Sequence, residues 1–364
     1  MKNEKNLKIL VAAGGTGGHI IPALAIATEF KKNYDAEILF VGNRNSLEEK
    51  LATQAGLNFA GINVQKLYRK FTLAHLFFPF KLGKSIYDSF RIIKKFKPNF
   101  FVGTGGFVSG PVGFAAHLKK IPVFLQEQNG FPGLTTRILS KYAKKIFLGN
   151  RQAEKFFPKN KTFFSGNPIN PNFTEKTEKL DFEKIGLKKN SLKLLILGGS
   201  QGSVIINQNF YAVLDEILKS GIEIIWQIGK FSYEKYAEKI KNKSGVFGFS
   251  FSSEMSKIYN SVDFAVSRAG AITLAELETK KIPAILIPLP SAAGNHQFYN
   301  ALEPVNKKVA ILLEQKNLTP EILKNKILEM KNSFEKMKNN FTETKHEFAA
   351  EIIAKEILKS QKEY

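Results

Sequence analysis

The 364-residue sequence predicts an α/β fold of two Rossmann-like domains, with parallel sheets facing each other across a cleft. Three observations support this prediction. Short apolar runs alternate with helical patterns along the chain. Several of these runs are continuously apolar, as strands covered on both faces usually are. The chain is also too long for one ordinary core, since a domain typically holds roughly 100–200 residues.

The apolar runs define eleven strand candidates. Those of the first half are Lys8–Ala12, Ile38–Val41, Phe100–Val102, Pro122–Leu125, Lys145–Leu148 and Thr162–Phe164. Those of the second half are Lys193–Leu197, Glu223–Gln227, Val246–Phe249, Asp263–Val266 and Ala284–Ile287.

An internal sequence repeat divides the chain. "LKILVAAGGTGG" near the start resembles "LKLLILGGSQGS" at 192–203, and helices are predicted to follow at Pro22–Lys32 and Ile205–Lys219. The polar stretch Asn167–Asn190 reads as the linker between the two copies. We therefore predict an amino-terminal domain at 1–165, a carboxyl-terminal domain at 166–342, and a last helix within 343–364 that packs back toward the first domain.

Composition narrows the class of protein. With 43% hydrophobic and 24% charged residues, the chain is globular in type, and it has neither a long spanning run nor a recognisable signal peptide. The absence of cysteine excludes disulfides and thiolate metal sites, and is compatible with the cytoplasm. The net charge of +22 fits nucleic acid, an anionic membrane or a plain lysine-rich surface.

The first glycine loop is a candidate anion site. Glycines around Thr16 let the backbone turn sharply, and the next helix directs its free N–H groups to the same place. The spacing fits neither the dinucleotide fingerprint nor a Walker loop. A phosphate or diphosphate site and a tight structural turn both remain open. His19 follows this loop and is either a general base or a structural histidine.

Other polar loops follow predicted strands. Gly105, Gly106 and Ser109 form a second glycine loop, which is either another wall of the anion site or a turn. "LQEQNG" offers Glu127, Gln128 and Asn129 to a hydroxyl-rich ligand. In the second half, "LGGSQGS", "VSRAGAITLAE" and "NHQFYNA" also follow strands, and the last of these offers His296, Gln297 and Asn300. Three such loops in one sheet indicate a nucleotide or sugar pocket.

Seven motifs in this order resemble the MurG family: "GGTGGHI", "GTGGFVSGP", "QEQNG", "GNP", "GGSQGS", "SRAGAITLAE" and "NHQFYNA". The resemblance runs from about Lys8 to about residue 350 and implies a GT-B fold. It implies an inverting transfer of N-acetylglucosamine (GlcNAc) from UDP-GlcNAc to the 4-hydroxyl of the N-acetylmuramyl sugar of lipid I, which gives lipid II for peptidoglycan synthesis. No cofactor is expected, and the strand-end motifs contain no Asp-x-Asp pair that could hold a metal, which is consistent with metal-independent departure of UDP.

The resemblance also assigns residues. His19 is the implied catalytic base, and Glu127 assists it. The implied UDP-GlcNAc ligands are Thr16, Gly17, Gly18, Asn129, Ser200, Ser252, Ala271, Ile272, Thr273, Leu274, Ala275, Glu276 and Gln297. Among these, Glu276 is expected on the ribose, Asn129 and Gln297 on the donor sugar, and the backbone of Ser252 on uracil. The acceptor diphosphate is expected against Gly14, Gly15, Gly105, Gly106 and Ser109.

Two positions depart from the family pattern. Asn170 stands where the family usually has an arginine that contacts the donor, so another cation must replace it, and Arg268 is our candidate. His296 stands where glutamine is common. Neither departure affects His19.

A lipid-linked acceptor gives the positive charge a partner. Between Lys66 and Lys97 the chain has nine lysines and arginines and one acid, interrupted by apolar residues. Phe77, Phe78, Phe80, Lys81 and Lys84 are expected to face the anionic cytoplasmic side of the inner membrane, as in a peripheral protein. The alternative is a helix with buried phenylalanines and solvated lysines.

Three other functions compete with this one. A related transferase with another lipid or lipophilic acceptor shares the donor half. A nicotinamide dehydrogenase is disfavoured by the glycine spacing, and Asp35 falls before its strand instead of at the ribose position. No nucleic-acid partner is expected, because no recognisable RNA module accompanies the charge.

Overall fold

The computed structural model describes residues 7–65, 77–173, 178–199 and 201–362. These residues divide into two compact units. One comprises the chain up to Pro171 together with the segment from Lys345 onward, and the other comprises Asn172–Thr344.

The first unit is a parallel sheet covered by helices. Its strands are β1 (Lys8–Ala12), β2 (Glu37–Asn43), β3 (Asn58–Ile62), β4 (Phe100–Gly103), β5 (Val123–Glu127), β6 (Lys145–Leu148) and β7 (Thr162–Phe164), in the order β3-β2-β1-β4-β5-β6-β7. Its helices are α1 (Gly17–Tyr34), α2 (Leu47–Gln54), α3 (Phe78–Phe96), α4 (Gly106–Leu118) and α5 (Leu134–Leu139). Of the central strands, β4 and β5 are buried along their whole length and β1 is buried except at Lys8, as their mostly apolar sequences predict.

The second unit repeats the plan. Its strands are β8 (Leu192–Leu197), β9 (Ile222–Gln227), β10 (Val246–Phe249), β11 (Phe264–Ser267), β12 (Ala284–Leu286) and β13 (Ala310–Leu312), in the order β10-β9-β8-β11-β12-β13 and all parallel. Its helices are α6 (Val204–Lys219), α7 (Tyr233–Ile240), α8 (Met255–Tyr259), α9 (Ala271–Thr279), α10 (His296–Asn306) and α11 (Pro320–Lys338). Two domains with parallel sheets confirm the predicted fold class.

The carboxyl-terminal helix belongs to the first unit. This helix, α12, spans Ala349–Lys362, and it places Ile353, Ala354 and Ile357 in the same buried cluster as Ile26 and Phe30 of α1. Burial of an isoleucine side chain contributes roughly 1.5–3 kcal/mol. The spacing of these residues along one helix face explains why the end of the chain returns to the first sheet.

Helix α1 begins earlier than the sequence predicts. The expected start at Pro22 is wrong, because the helix begins at Gly17, with Thr16 as its N-cap. Pro22 lies inside the second turn, where its missing N–H costs one backbone hydrogen bond. His19 is therefore not in a loop: it occupies the first turn of α1, and its N–H donates to the Thr16 carbonyl at 3.0 Å.

Helix α3 carries the basic and aromatic stretch. Phe80, Lys84, Tyr87, Arg91 and Lys95 recur at three- and four-residue spacing and are all exposed, so they share one face. Phe80 is 78% exposed and Phe77 61%, whereas Phe78 is half-buried. Residues 66–76 of this stretch lie outside the described residues. Within the described part of the chain, no helix has the length and apolarity needed to cross a membrane.

Candidate active site

The first candidate site lies where three strands of the first unit end. Residues Ala12 of β1, Gly103 of β4 and Leu125 of β5 are aligned across the sheet, so the loops that follow these strands meet at one edge. The Thr16 side chain does not cap α1. The amides of the first turn, at Gly17 and Gly18, therefore remain suited to an anionic ligand.

One amide of the first glycine loop already has a carboxylate partner. The Gly15 N–H donates to Oε1 of Glu48 at 3.1 Å, and Glu48 is buried. An anion at this loop would lie close to a buried acid. The amide of Gly15, a predicted diphosphate ligand, is thus already hydrogen-bonded to a carboxylate. Gly14, the neighbouring predicted ligand, is buried beside Val108.

The His19 ring faces two oxygen atoms. Its Nδ1 lies 2.8 Å from Oε1 of Gln128 and 3.2 Å from the Thr104 carbonyl oxygen. Thr104 also donates its hydroxyl to the His19 carbonyl at 2.8 Å. The half-buried ring is consequently fixed through Nδ1, on the α1 side of the strand ends.

The second glycine loop packs against the first. Gly105 and Gly106 have φ values of +99° and +77°, a region that favours glycine. A Cβ at Gly105 would lie 3.0 Å from Nδ1 of His19. The Ser109 hydroxyl is buried, and its single hydrogen is shared between two carbonyl acceptors, Ala12 at 2.8 Å and Gly105 at 2.7 Å. Ser109 therefore joins β1 to this loop rather than lining the surface.

We expect Gly106→Ala to destabilise the protein by about 1–3 kcal/mol. The new Cβ would lie 2.0 Å from the Gly14 carbonyl oxygen, which is backbone and cannot rotate away. Urea denaturation measures the change. Gly83→Ala is the matched control, because nothing lies within 4 Å of its Cβ position in helix α3, so stability should hold or rise slightly. Equal stabilities of the two variants would contradict this account.

Glu127 holds the loop that carries Asn129. One carboxylate oxygen accepts from the backbone N–H and the side-chain amide of Asn129, both at 3.1 Å, and the other accepts from the Gly133 N–H at 3.1 Å. The residue is buried. This geometry makes Glu127 a positioning group for Asn129, while its predicted assistance to His19 stays a prediction.

The second candidate site lies in the second unit. Helix α9 follows β11, and its N-cap, Gly270, provides no side-chain cap, so the first-turn amides from Ala271 to Thr273 can face an anion. Glu276 lies further along this helix and accepts a hydrogen bond from the Tyr259 hydroxyl at 3.0 Å. Burial raises the pKa of Glu276 to about 7, and burial with the nearby Glu276 carboxylate raises that of Tyr259.

Arg268 lies behind the second site as a buried cation. Its guanidinium donates to the carbonyls of Ile287 and Pro288, at 3.1 and 3.3 Å, and to the side-chain oxygens of Ser203 and Gln315, both at 2.8 Å. Burial lowers its pKa to about 10. All four acceptors are neutral, so they do not cancel the positive charge of the Arg268 guanidinium. That charge can therefore attract an anion at the loop between β11 and α9 without direct contact.

The remaining predicted residues of the second unit have internal partners as well. Oε1 of Gln297 accepts from the Leu289 N–H at 3.0 Å, and the Ser252 hydroxyl accepts from the Glu254 N–H at 3.0 Å. Nδ2 of Asn300 donates to the Ala269 carbonyl at 3.2 Å, and His296 contacts the Ala293 carbonyl through Nδ1 at 2.8 Å. Ser200 lies outside the described residues.

Comparison with known proteins identifies the family. The glycosyltransferase family 28 N-terminal domain matches residues 9–148, and the family's C-terminal domain matches residues 193–356. The chain belongs to glycosyltransferase family 28. A Flavobacterium psychrophilum relative, named UDP-N-acetylglucosamine--N-acetylmuramyl-(pentapeptide) pyrophosphoryl-undecaprenol N-acetylglucosamine transferase, is 41% identical over 319 residues, covering 86% of each chain. A Bacillus cereus family member of that name, numbered 1, is 38% identical over 87% of this chain and 88% of its own.

Solved structures agree with this assignment. The crystal structure of Acinetobacter baumannii MurG is similar with a TM-score of 0.73 at 26% identity, and covers 97% of this chain and 99% of its own. A Listeria monocytogenes structure described as a putative UDP-N-acetylglucosamine 2-epimerase matches with a TM-score of 0.70 at 14% identity, over 99% and 98% of the two chains, which shows a shared fold alone. The resemblance to the MurG family is thus confirmed, and with it the prediction of a glycosyltransferase.

Several residues beside these sites were not singled out from the sequence. Gln126 and Asn167 connect to Gln128 through buried side-chain amides, Glu48 binds the first glycine loop, and Tyr259 binds Glu276. The sequence neighbourhoods of Glu48 and Tyr259 give no signal, because each acts through a partner distant in sequence. Gln126 and Asn167 had a usable signal, because they lie in the motifs "QEQNG" and "GNP".

Proposed function

We propose that this family 28 protein transfers GlcNAc from UDP-GlcNAc to lipid I, the undecaprenyl-diphosphate-linked N-acetylmuramyl-pentapeptide. The observation that carries the proposal is the 41% identity, over 86% of the chain, to a relative named for this reaction. The product is lipid II, so the protein acts in peptidoglycan synthesis.

His19 is proposed as the general base. In an inverting transfer, the acceptor 4-hydroxyl loses its proton as it attacks the anomeric carbon of GlcNAc. The His19 ring is held through Nδ1 by Gln128 and Thr104, so its other nitrogen, Nε2, is left to accept that proton. Asn129, held by Glu127, is proposed to bind hydroxyls of the donor sugar.

UDP is the leaving group, and its growing negative charge must be stabilised. The uncapped first turns of α1 and α9 supply backbone amides for this, through Thr16–Gly18 and Ala271–Thr273. Arg268 adds a buried positive charge near Ser203, at the start of α6. Glu276 is proposed to bind the ribose hydroxyls, Ser252 to read uracil through its backbone, and Gln297 to contact the donor sugar.

The acceptor is lipid-linked, so we propose that the protein works peripherally at the cytoplasmic face of the inner membrane. The support is the exposed face of α3, where aromatic side chains alternate with cations. Anionic headgroups attract such a face, and the rings of Phe77 and Phe80 can insert at the boundary of the acyl chains.

Replacing Phe77 and Phe80 by serine should weaken association with anionic vesicles by about tenfold, since two exposed aromatic side chains leave the interface. Phe78 is left intact because it is half-buried. Co-sedimentation with vesicles measures the effect. The control is Phe231→Ser with Phe251→Ser, which removes two similarly exposed rings of the second unit, 74% and 69% exposed. Equal losses in both pairs would contradict docking through α3.

The proposed reaction is tested by incubating the full chain with radiolabelled UDP-GlcNAc and a lipid I analogue. Label is expected in the lipid product, with release of UDP. Label that stays in UDP-GlcNAc, or in water-soluble GlcNAc, would overturn the proposal. Transfer to a different lipophilic acceptor, with none to lipid I, would also overturn it.

A further inference from the structure

The His19 ring stands at one end of a chain of buried side-chain amides. Gln128 contacts His19, Gln126 contacts Gln128, and Asn167 contacts Gln126. All three amide residues are at least 97% buried, with exposures of 0% for Gln126, 2% for Gln128 and 3% for Asn167. A buried amide without hydrogen-bond partners costs free energy, so each NH₂ group in this row must face an oxygen. The arrangement therefore defines one hydrogen-bond direction.

Backbone carbonyls fix the orientation of Gln128. Its Nε2 lies 2.8 Å from the Thr104 carbonyl oxygen and 3.2 Å from the Gln126 carbonyl oxygen. A carbonyl oxygen only accepts, so the group facing these two atoms must be the NH₂. The Gln128 atom that faces Nδ1 of His19 is therefore the oxygen.

The far end of the chain gives the same direction independently. Nδ2 of Asn167 donates to the Gln128 carbonyl at 3.1 Å, which leaves Oδ1 of Asn167 facing Gln126. Nε2 of Gln126 donates to that oxygen at 3.1 Å, and Oε1 of Gln126 then accepts from Nε2 of Gln128. None of these three side-chain amides can be flipped by 180° without placing two oxygens, or two NH₂ groups, against each other.

The site is built to hold Asn167. A Cβ at Gly149 would lie 1.7 Å from Oδ1 of Asn167, so only glycine leaves room for this amide. The Asn167 backbone N–H donates to Nδ1 of His346 at 2.8 Å. This hydrogen bond links the three buried amides to the segment that precedes α12. Four separated parts of the sequence thus converge on the orientation of one imidazole.

We propose that Gln128, Gln126 and Asn167 are positioning residues that hold His19 as the tautomer protonated at Nδ1, with Nε2 as the basic nitrogen. Among the described residues, Nδ1 faces only acceptors, Oε1 of Gln128 and the Thr104 carbonyl, so it must carry the hydrogen. In the other tautomer, Nε2 would bear a proton and could not take one from the acceptor hydroxyl. This inference rests on the function proposed above, in which Nε2 is the base.

The tautomer is measured directly by long-range ¹H–¹⁵N NMR of ring-labelled histidine, on the full chain without substrates. The pH is set alkaline, where free imidazole is neutral. His19 is assigned among the five histidines by the signal missing in His19→Gln. We expect protonated Nδ1 and unprotonated Nε2. Wild-type protein with the proton on Nε2 would overturn the proposal without any variant having to fold.

Gln128→Leu removes the nearer acceptor and leaves only the Thr104 carbonyl. We expect a mixture of tautomers and a kcat for transfer at least about tenfold lower, with KM for UDP-GlcNAc within about twofold. Thr104→Val is the matched control, since it removes a hydrogen bond to the His19 backbone and keeps the Thr104 carbonyl; its ring spectrum should match wild type. An unchanged ring spectrum in Gln128→Leu, with or without a fall in kcat, would overturn the proposal.

The two hypotheses fail in different ways. The NMR spectrum reports the ring whatever the protein transfers. If wild-type protein shows the expected tautomer but puts no label into lipid, the proposed function fails and the amide chain stands. If it labels lipid but carries the proton on Nε2, the function stands and the positioning role is overturned.

Discussion

His19→Ala is expected to lower the rate of GlcNAc transfer about a hundredfold or more, because the acceptor hydroxyl then loses its general base. The affinity for UDP-GlcNAc should stay within a few-fold, since among the described residues the His19 ring contacts Gln128 and Thr104, which belong to the protein and not to the donor. The measurement is single-turnover transfer with the donor saturating, together with calorimetric titration of UDP-GlcNAc.

His117→Ala is the matched control. It removes an imidazole from the same unit, where the ring stacks on Tyr142 at a centroid distance of 4.2 Å, far along helix α4 from its glycine start. This variant should retain transfer within about twofold. Near-normal turnover of His19→Ala would remove His19 from the mechanism. A parallel loss of donor affinity and turnover would make His19 a binding residue instead.

The fold was predictable because strands that are buried on both faces of a sheet are continuously apolar in the local sequence. Uniformly apolar strands such as Lys8–Ala12 stood out, and the repeated glycine loops indicated two similar units. Two edge strands, β3 and β13, were not predicted. β3 reads "NFAGI", a half-buried segment with a glycine, so it produces no continuous apolar run. β13 lies in the apolar run "VAILL" at 309–313, so its sequence did carry a usable signal.

The position of the glycine loops at the strand ends was predictable, but the hydrogen bonds made by side chains in these loops were not. A motif shows which residue types follow a strand, whereas the direction of a side chain depends on partners distant in sequence. Ser109 was expected at an anion, yet its hydroxyl is occupied by Ala12 and Gly105. Arg268 donates to four internal oxygens, which the sequence did not indicate, while its role at the donor stays a prediction.

Glu276 gives the protein a pH dependence with a defined sign. Burial raises its pKa from 4.5 to about 7, so the folded, unliganded protein favours the neutral carboxyl. A raised carboxyl pKa contributes stability that is fully present below about pH 4.5 and is lost as the pH rises through about 7. Glu276→Gln removes this titration, and a glutamine oxygen can still accept from Tyr259. At pH 8, without ligand, this variant should be more stable than wild type by about 1 kcal/mol or more.

UDP binding should depend on pH in the opposite direction. If the ribose hydroxyls donate to ionised Glu276, binding releases a proton wherever the free carboxyl is neutral. Affinity for UDP should then be about tenfold weaker at pH 6 than at pH 8, as expected for one group with a pKa of about 7. Calorimetry at the two pH values measures this ratio, and Glu276→Gln controls for titration of the UDP phosphate itself, whose second pKa is near ~6 like that of other phosphate monoesters. Glu276→Gln should bind UDP more weakly than wild type at pH 8. Its affinity ratio between the two pH values should lack the part that comes from titration of the Glu276 carboxyl. Identical ratios in the two proteins would mean that the ribose is held elsewhere, and the gain in unliganded stability would then be the only consequence of burying this acid.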